Sequence, residues 1–140
     1  MLAKSRVPKV LMVLGSLPPM KCGVGDSMVM LAQHIQTMGV STSILTSEDA
    51  DVVPGVDTHR FMDSWSIWNL NKFLKKVLDL KPDIVHIQFP SLGYRLGLLP
   101  YFIPFFLWLN EVPVIQTWHE PPVKSPFAVS TSQRIKRFIF

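Results

Sequence analysis

Short apolar runs alternate with longer stretches of helical spacing along this chain. Residues 10–14 are apolar throughout and lie between Lys9 and Gly15. A run without period-two alternation predicts a strand buried on both faces of a parallel sheet. Met28, Leu31, Ala32, Ile35 and Met38 then recur at i, i+3, i+4, i+7 and i+10. That spacing predicts a helix with one apolar stripe, opened by Asp26 or Ser27 as N-cap and closed by Gly39. Residues 43–46 predict a second strand, and residues 58–61 a short third one beyond the acidic turn Glu48-Asp49-Ala50-Asp51. Leu70, Phe73, Leu74, Val77 and Leu78 predict the inward side of a second helix over residues 66–80, which Lys81-Pro82 stops. Residues 84–87 and 114–118 predict the fourth and fifth strands.

Between those last two strands lie residues 96–110, from Leu96 to Asn110, without a charge and with prolines at Pro100 and Pro104. A bilayer-crossing helix needs about 20 apolar residues, so this stretch is too short to span alone. Two readings stay open: a buried helix starting at Pro100, or an interfacial segment docking Tyr101, Phe102, Phe105, Phe106 and Trp108 in lipid. The order strand, helix, strand, strand, helix, strand, helix, strand predicts an α/β fold, a Rossmann-like doubly wound parallel sheet.

Composition narrows the classes. The 140 residues are 48% hydrophobic and 17% charged, enough for one domain with a real core and too apolar for disorder. The net charge of +4 is scattered; the densest cluster, Lys72, Lys75 and Lys76, suits the wet face of a helix. No basic stripe interleaved with aromatics points to nucleic acid, so no nucleic-acid partner is expected. The single cysteine, Cys22, excludes an internal disulfide and a thiolate-pair zinc site, and fits a reducing compartment. Lys4, Arg6 and Lys9 ahead of residues 10–14 give a crude likeness of a signal peptide. The run is short, and Pro18-Pro19 follows instead of a small-residue cleavage site, which favours a first strand.

In an open parallel sheet, ligands bind outside the carboxyl ends of the strands where strand order reverses. The loops to inspect therefore follow strands one, four and five. The first carries Gly23-Val24-Gly25 before Asp26 at a helix N-terminus. Free N–H groups and the helix dipole there favour an anion, while the same glycines also suit the turns of a long loop. Their distance from Gly15 does not fit the dinucleotide fingerprint, and no Walker lysine follows. Gln88 is expected to emerge at the rim after the fourth strand. His119 follows the fifth strand, with Glu120 next; such a histidine can bond a hydroxyl or steady developing charge, or be structural. His86, inside the fourth strand, is expected to be a satisfied core histidine, with His34 and His59 as bystanders. The turn 48–51 suits a solvated loop, or a ribose contact in a nicotinamide enzyme. No pair of histidines or carboxylates has metal-ligand spacing, so no metal is expected.

Pro18-Pro19, Gly23-Val24-Gly25-Asp26, Leu31-Ala32 with Gly39, residues 82–90 and residues 114–121 together resemble the N-terminal domain of retaining glycosyltransferases of the GT-B fold, the large group 1 (family 4-like) family. The likeness covers nearly the whole chain. It implies that residues 1–140 are the acceptor-side half of a two-domain enzyme, with the nucleotide-sugar domain absent. A break at about residues 125–140 is expected, because the amphipathic pattern of residues 133–140 starts a helix without a cap. The resemblance implies a nucleotide-sugar donor, a glycan or lipid-linked acceptor, and no cofactor or metal. It implies that His119 contacts the transferred sugar and that Gly23, Val24, Gly25 and Asp26 approach the donor diphosphate or the acceptor. Gln88 and the residues after it, with Glu120, would line the substrate side. It also implies a cytoplasmic enzyme, peripheral at the inner membrane face if residues 96–110 meet lipid. Cys22 stands where many members carry glycine. Two other readings remain: a half-domain that binds a partner or membrane without chemistry, and a nicotinamide- or flavin-type domain, which the loop spacing opposes.

Overall fold

Residues Lys9–Val13 form β1, and in the computed structural model, which describes residues 6–119, this strand is the middle of everything else. Helix α1 (Gly23–Thr37) leads to β2 (Ser41–Ser47) and β3 (Asp57–Met62). A 3-10 turn (Ile67–Asn69) opens α2 (Leu70–Leu80), followed by β4 (Ile84–Phe89), α3 (Leu99–Leu109) and β5 (Val114–Trp118). The five strands are all parallel, in the order β3-β2-β1-β4-β5. Order reverses between β1 and β4, which makes their carboxyl ends the switch point.

The unbroken apolar run of β1 is explained by its two faces. Leu11 and Val13 pack with α2 and α3 through Phe73, Val77, Leu99, Ile103 and Leu107. Met12 and Leu14 pack with α1 through Met28 and Ala32. No helix joins β2 to β3; Ala50, Val53 and Val56 from that crossover fill the α1-side core instead. The fold is thus the doubly wound, Rossmann-like α/β sheet expected, with helices on both faces.

Three details differ. Helix α1 begins at Gly23 with Cys22 as N-cap, four or five residues earlier than an Asp26 or Ser27 cap would place it. The Asp26 N–H already bonds the Cys22 carbonyl (3.1 Å), and the Ser27 hydroxyl donates one turn back to Gly23 O (2.7 Å). An early start lets Gly25 press against the Ser16 carbonyl, where any Cβ would overlap that oxygen. Second, Leu31, Met38 and Leu78, assigned inward, are exposed. The inner sides of α1 and α2 are narrower than the apolar spacing, carried by Met28, Ala32 and Ile35, and by Phe73 and Val77. Third, β4 continues to Phe89, so Gln88 lies buried inside the strand and not at the rim.

Helix α3 has both characters that its sequence left open. Leu99, Pro100, Tyr101, Ile103 and Leu107 are buried, while Phe105, Trp108 and Leu109 are 54%, 69% and 53% exposed. Among the described residues no helix is long and apolar enough to cross a membrane.

Candidate functional site

The loops after β1 and β4 meet backbone to backbone at the switch point. A Cβ on Gly15 would come 2.5 Å from Gly93 C and Tyr94 N, and one on Gly93 would overlap the Gly15 carbonyl. Only a residue without a side chain allows that approach. Ser16 and Ser91 hydrogen-bond each other across the same junction, both buried. The Tyr94 hydroxyl donates to Val13 O (3.2 Å), pinning the second loop to the end of β1.

On the α1 side of this junction Gln88 and His119 come together, and Met28 links them to α1. Gly23, Val24, Gly25 and Asp26 form the first turn of α1, with Gly23 and Asp26 exposed and Gly25 buried. One turn on, the Met28 sulfur lies 3.8 Å from Gln88 Nε2. Gln88 Nε2 is 3.1 Å from His86 Nε2, and His86 Nε2 is 2.8 Å from Thr117 Oγ1. Gln88 Oε1 and His119 Nε2 form a short hydrogen bond. The His119 N–H continues the β4–β5 ladder by donating to Phe89 O (2.9 Å), which holds the ring at the sheet edge. His119 is exposed and Gln88 buried, so the amide anchors the imidazole from below. His86 is satisfied as expected, but it is half-buried and not in the core, and its partners make it part of the cluster. Glu120, and the pattern at residues 133–140, lie outside the described residues.

Cys22, with its thiol buried at the start of α1, sits beneath the junction. Burial works to raise the pKa of the thiol, yet the dipoles of Ser16 and of the Gly25, Val24 and Leu92 N–H groups outweigh it and bring the pKa below its ordinary value. Asp26, in the same first turn, is well placed for the helix dipole but sets a negative charge near any anion that approaches.

An open cleft of about 610 Å³ lies on the other side of the junction, over the carboxyl ends of β2 and β3. Gly15, Trp65, Gly93 and Tyr94 are among its lining, with Trp68 and Leu96 (90% and 83% exposed) on one wall. Glu48, Asp49 and Asp63 line it too, so the turn at residues 48–51, exposed at Glu48, Asp49 and Asp51 as a solvated loop should be, also contributes to the rim of this cleft. Lys72 Nζ ties Asp63 (2.7 Å) and Glu48 (3.5 Å), and Arg95 faces Asp49 (3.7 Å). The hydrogen bond from Lys72 holds the Asp63 carboxyl below its usual pKa and, reciprocally, raises that of Lys72. None of Gly23, Val24, Gly25, Asp26, Gln88 or His119 lines this cleft. Its wall comes from five separate segments, which no local motif announces. A row of rings joins the two halves of the edge: Trp118 on Phe89 (4.8 Å between centroids), Phe89 on Tyr94 (6.4 Å) and Tyr94 on Trp65 (4.7 Å). Among the described residues no group of three or more His, Cys, Asp or Glu side chains is placed to hold a metal ion.

No known family model matches the chain, and no curated protein matches it.

Two histidines give the fold an acid weakness. Burial, and then the charge of His119, lowers the pKa of His86; burial lowers that of His59 too, opposed by Asp57 and aided by Lys76. A histidine whose folded pKa is depressed binds its proton more readily unfolded, so the stability it supports is whole above about pH 6.5 and declines below it. Thermal unfolding followed from pH 8 to pH 5 is expected to show a falling midpoint below about 6.5, and a smaller fall in His86→Phe. An unchanged midpoint across that range would contradict both shifts.

Proposed function

We propose that this chain is the acceptor-side half of a retaining glycosyltransferase that takes its sugar from a nucleotide-sugar donor, as the motif resemblance implies. The observation that carries the reading is the meeting of Gln88 and His119 at the carboxyl ends of β4 and β5, with Met28 of α1 against Gln88, beside an open cleft. In this reading His119 bonds the sugar in transit, and the exposed Gly23 at the start of α1 offers its N–H, with the helix dipole behind it, to donor phosphate or acceptor. The glycan or lipid-linked acceptor enters from the cleft side. A donor-binding domain, in the same chain or a partner, closes the reaction. Backbone amides and basic side chains carry the leaving diphosphate in such enzymes, without metal.

Holding two substrates in a reactive pose supplies much of such a rate. The chain alone is therefore expected to turn over no nucleotide sugar, yet to bind acceptor-type saccharides with amide shifts at Gly23, Val24, Gly25 and Gln88. Turnover by the chain alone, or a rise in Tm with NAD or FMN and no response to saccharides or nucleotide sugars, would overturn the proposal.

The exposed face of α3 favours a second reading, contact with a lipid surface through Phe105, Trp108 and Leu109. Co-sedimentation of the same sample with phosphatidylglycerol vesicles, lost in Phe105→Ser/Trp108→Ser, would support it. No sedimentation would remove it without touching the first reading.

A further inference from the structure

Gln88 stands between two histidines and a sulfur, and its carboxamide has two chemically different ends. The nitrogen only donates hydrogen bonds and the oxygen only accepts them. The Met28 sulfur, 3.8 Å from Gln88 Nε2, can only accept. His86 Nε2, 3.1 Å from the same amide nitrogen, accepts only while it carries a lone pair. The Thr117 hydroxyl, 2.8 Å from that ring nitrogen, is able to donate to the same lone pair. Turning the amide over would set its oxygen against the sulfur, a repulsive contact in a buried place, and would force His86 to move its proton to Nε2. The oxygen is thereby directed to His119.

We propose that Met28 and His86, acting through the Gln88 carboxamide, fix the tautomer of His119, so that His119 meets its ligand with Nδ1 as a hydrogen-bond acceptor. The chain of consequences is short. Gln88 Oε1 accepts, so His119 Nε2 carries the proton. A neutral imidazole has one N–H, which leaves a lone pair on Nδ1, for which the described residues provide no partner. A ligand hydroxyl reaching Nδ1 donates its proton to that bond, and a ligand that offers only acceptor oxygens is disfavoured there until His119 is protonated. Met28, His86 and Gln88 are positioning residues, none of which touches the ligand.

The arrangement needs His86 neutral. Burial, and secondarily the charge of His119, holds its pKa below the usual histidine value. Among the described residues His119 is the one titratable group whose charge bears on it; Met28, Gln88 and Thr117, its neighbours in the cluster, are uncharged. The inference rests on the reading that the exposed side of His119 faces a ligand, but the tautomer itself is a property of the free chain.

Long-range 1H–15N correlation spectra of the 140-residue chain, labelled at histidine and recorded at about pH 8, read the tautomers directly. His119 is expected protonated on Nε2 in about nine-tenths of molecules or more, and His86 protonated on Nδ1. In Met28→Leu/His86→Phe, the amide loses both acceptors and is free to turn. The Nδ1–H form of His119 is then expected to rise by about threefold or more. Met28→Leu nearly conserves volume and serves alone, with a smaller rise, if the double variant does not fold. His119 protonated on Nδ1 in the unmodified chain, or an unchanged tautomer in a folded variant, would overturn the proposal. No ligand is present in these spectra, so their outcome is separate from that of the saccharide titration.

Discussion

Gly93→Ala should lose about 3 kcal/mol or more of stability, the largest effect expected from a single methyl group in this chain. The added Cβ would overlap the carbonyl of Gly15, an atom of backbone that cannot swing aside. Either the loop after β4 lifts away from β1 or the end of β1 bends. In the first case Tyr94, 4% exposed, leaves its place between Trp65 and Phe89 and gives up its bond to Val13 O. In the second, the ladder of the central strand is disturbed. Gly23→Ala is the matched control. It has open space around the new methyl and stands in a helical turn, so it should be neutral or stabilising by about 0.5 kcal/mol. Urea unfolding of the two variants decides the matter: equal midpoints would mean that the loops after β1 and β4 do not touch.

His119→Ala should lower kcat by about 100-fold or more in a protein that unites this chain with a donor-binding domain, if the transferase reading holds. The reason is geometric. Its Nε2 is held by Gln88 and its backbone N–H by Phe89 O, so the ring has little freedom to lose when charge develops beside it. Preorganised groups of this kind contribute most where the reacting atoms build up charge. The same change should leave Tm within about a degree or two, because His119 is exposed and contributes little apolar burial. Activity retained in a folded His119→Ala enzyme would return this histidine to a structural role.

The order of the five strands and of the helices between them was legible in the sequence, because buried parallel strands and amphipathic helices leave different periods. The strand from Val114 to Trp118 agrees to the residue. The start of α1 was not legible, since capping preferences favour Asp26 or Ser27, while the fold needs the helix to reach Ser16 at Gly25. Leu31, Met38 and Leu78 misled for a related reason: spacing tells which residues share a side of a helix, not how wide a strip the sheet covers. Within the candidate site, Gln88 and His119 were each singled out, and their bond was not, because register between β4 and β5 decides it. The inclusion of His86 and Met28 depends on that register too. The cleft beside Trp68 was hidden altogether, being assembled from residues far apart in the chain, from Gly15 to Leu98.

The row of rings from Trp118 through Phe89 and Tyr94 to Trp65 has a mechanical consequence. A close-packed interior does not give way one ring at a time, so whatever tilts Trp65 at the cleft must be accommodated by Tyr94 and Phe89. Phe89 carries the carbonyl on which His119 hangs. The cleft and the histidine, on opposite sides of the junction, are therefore joined by one unbroken line of packed rings and backbone.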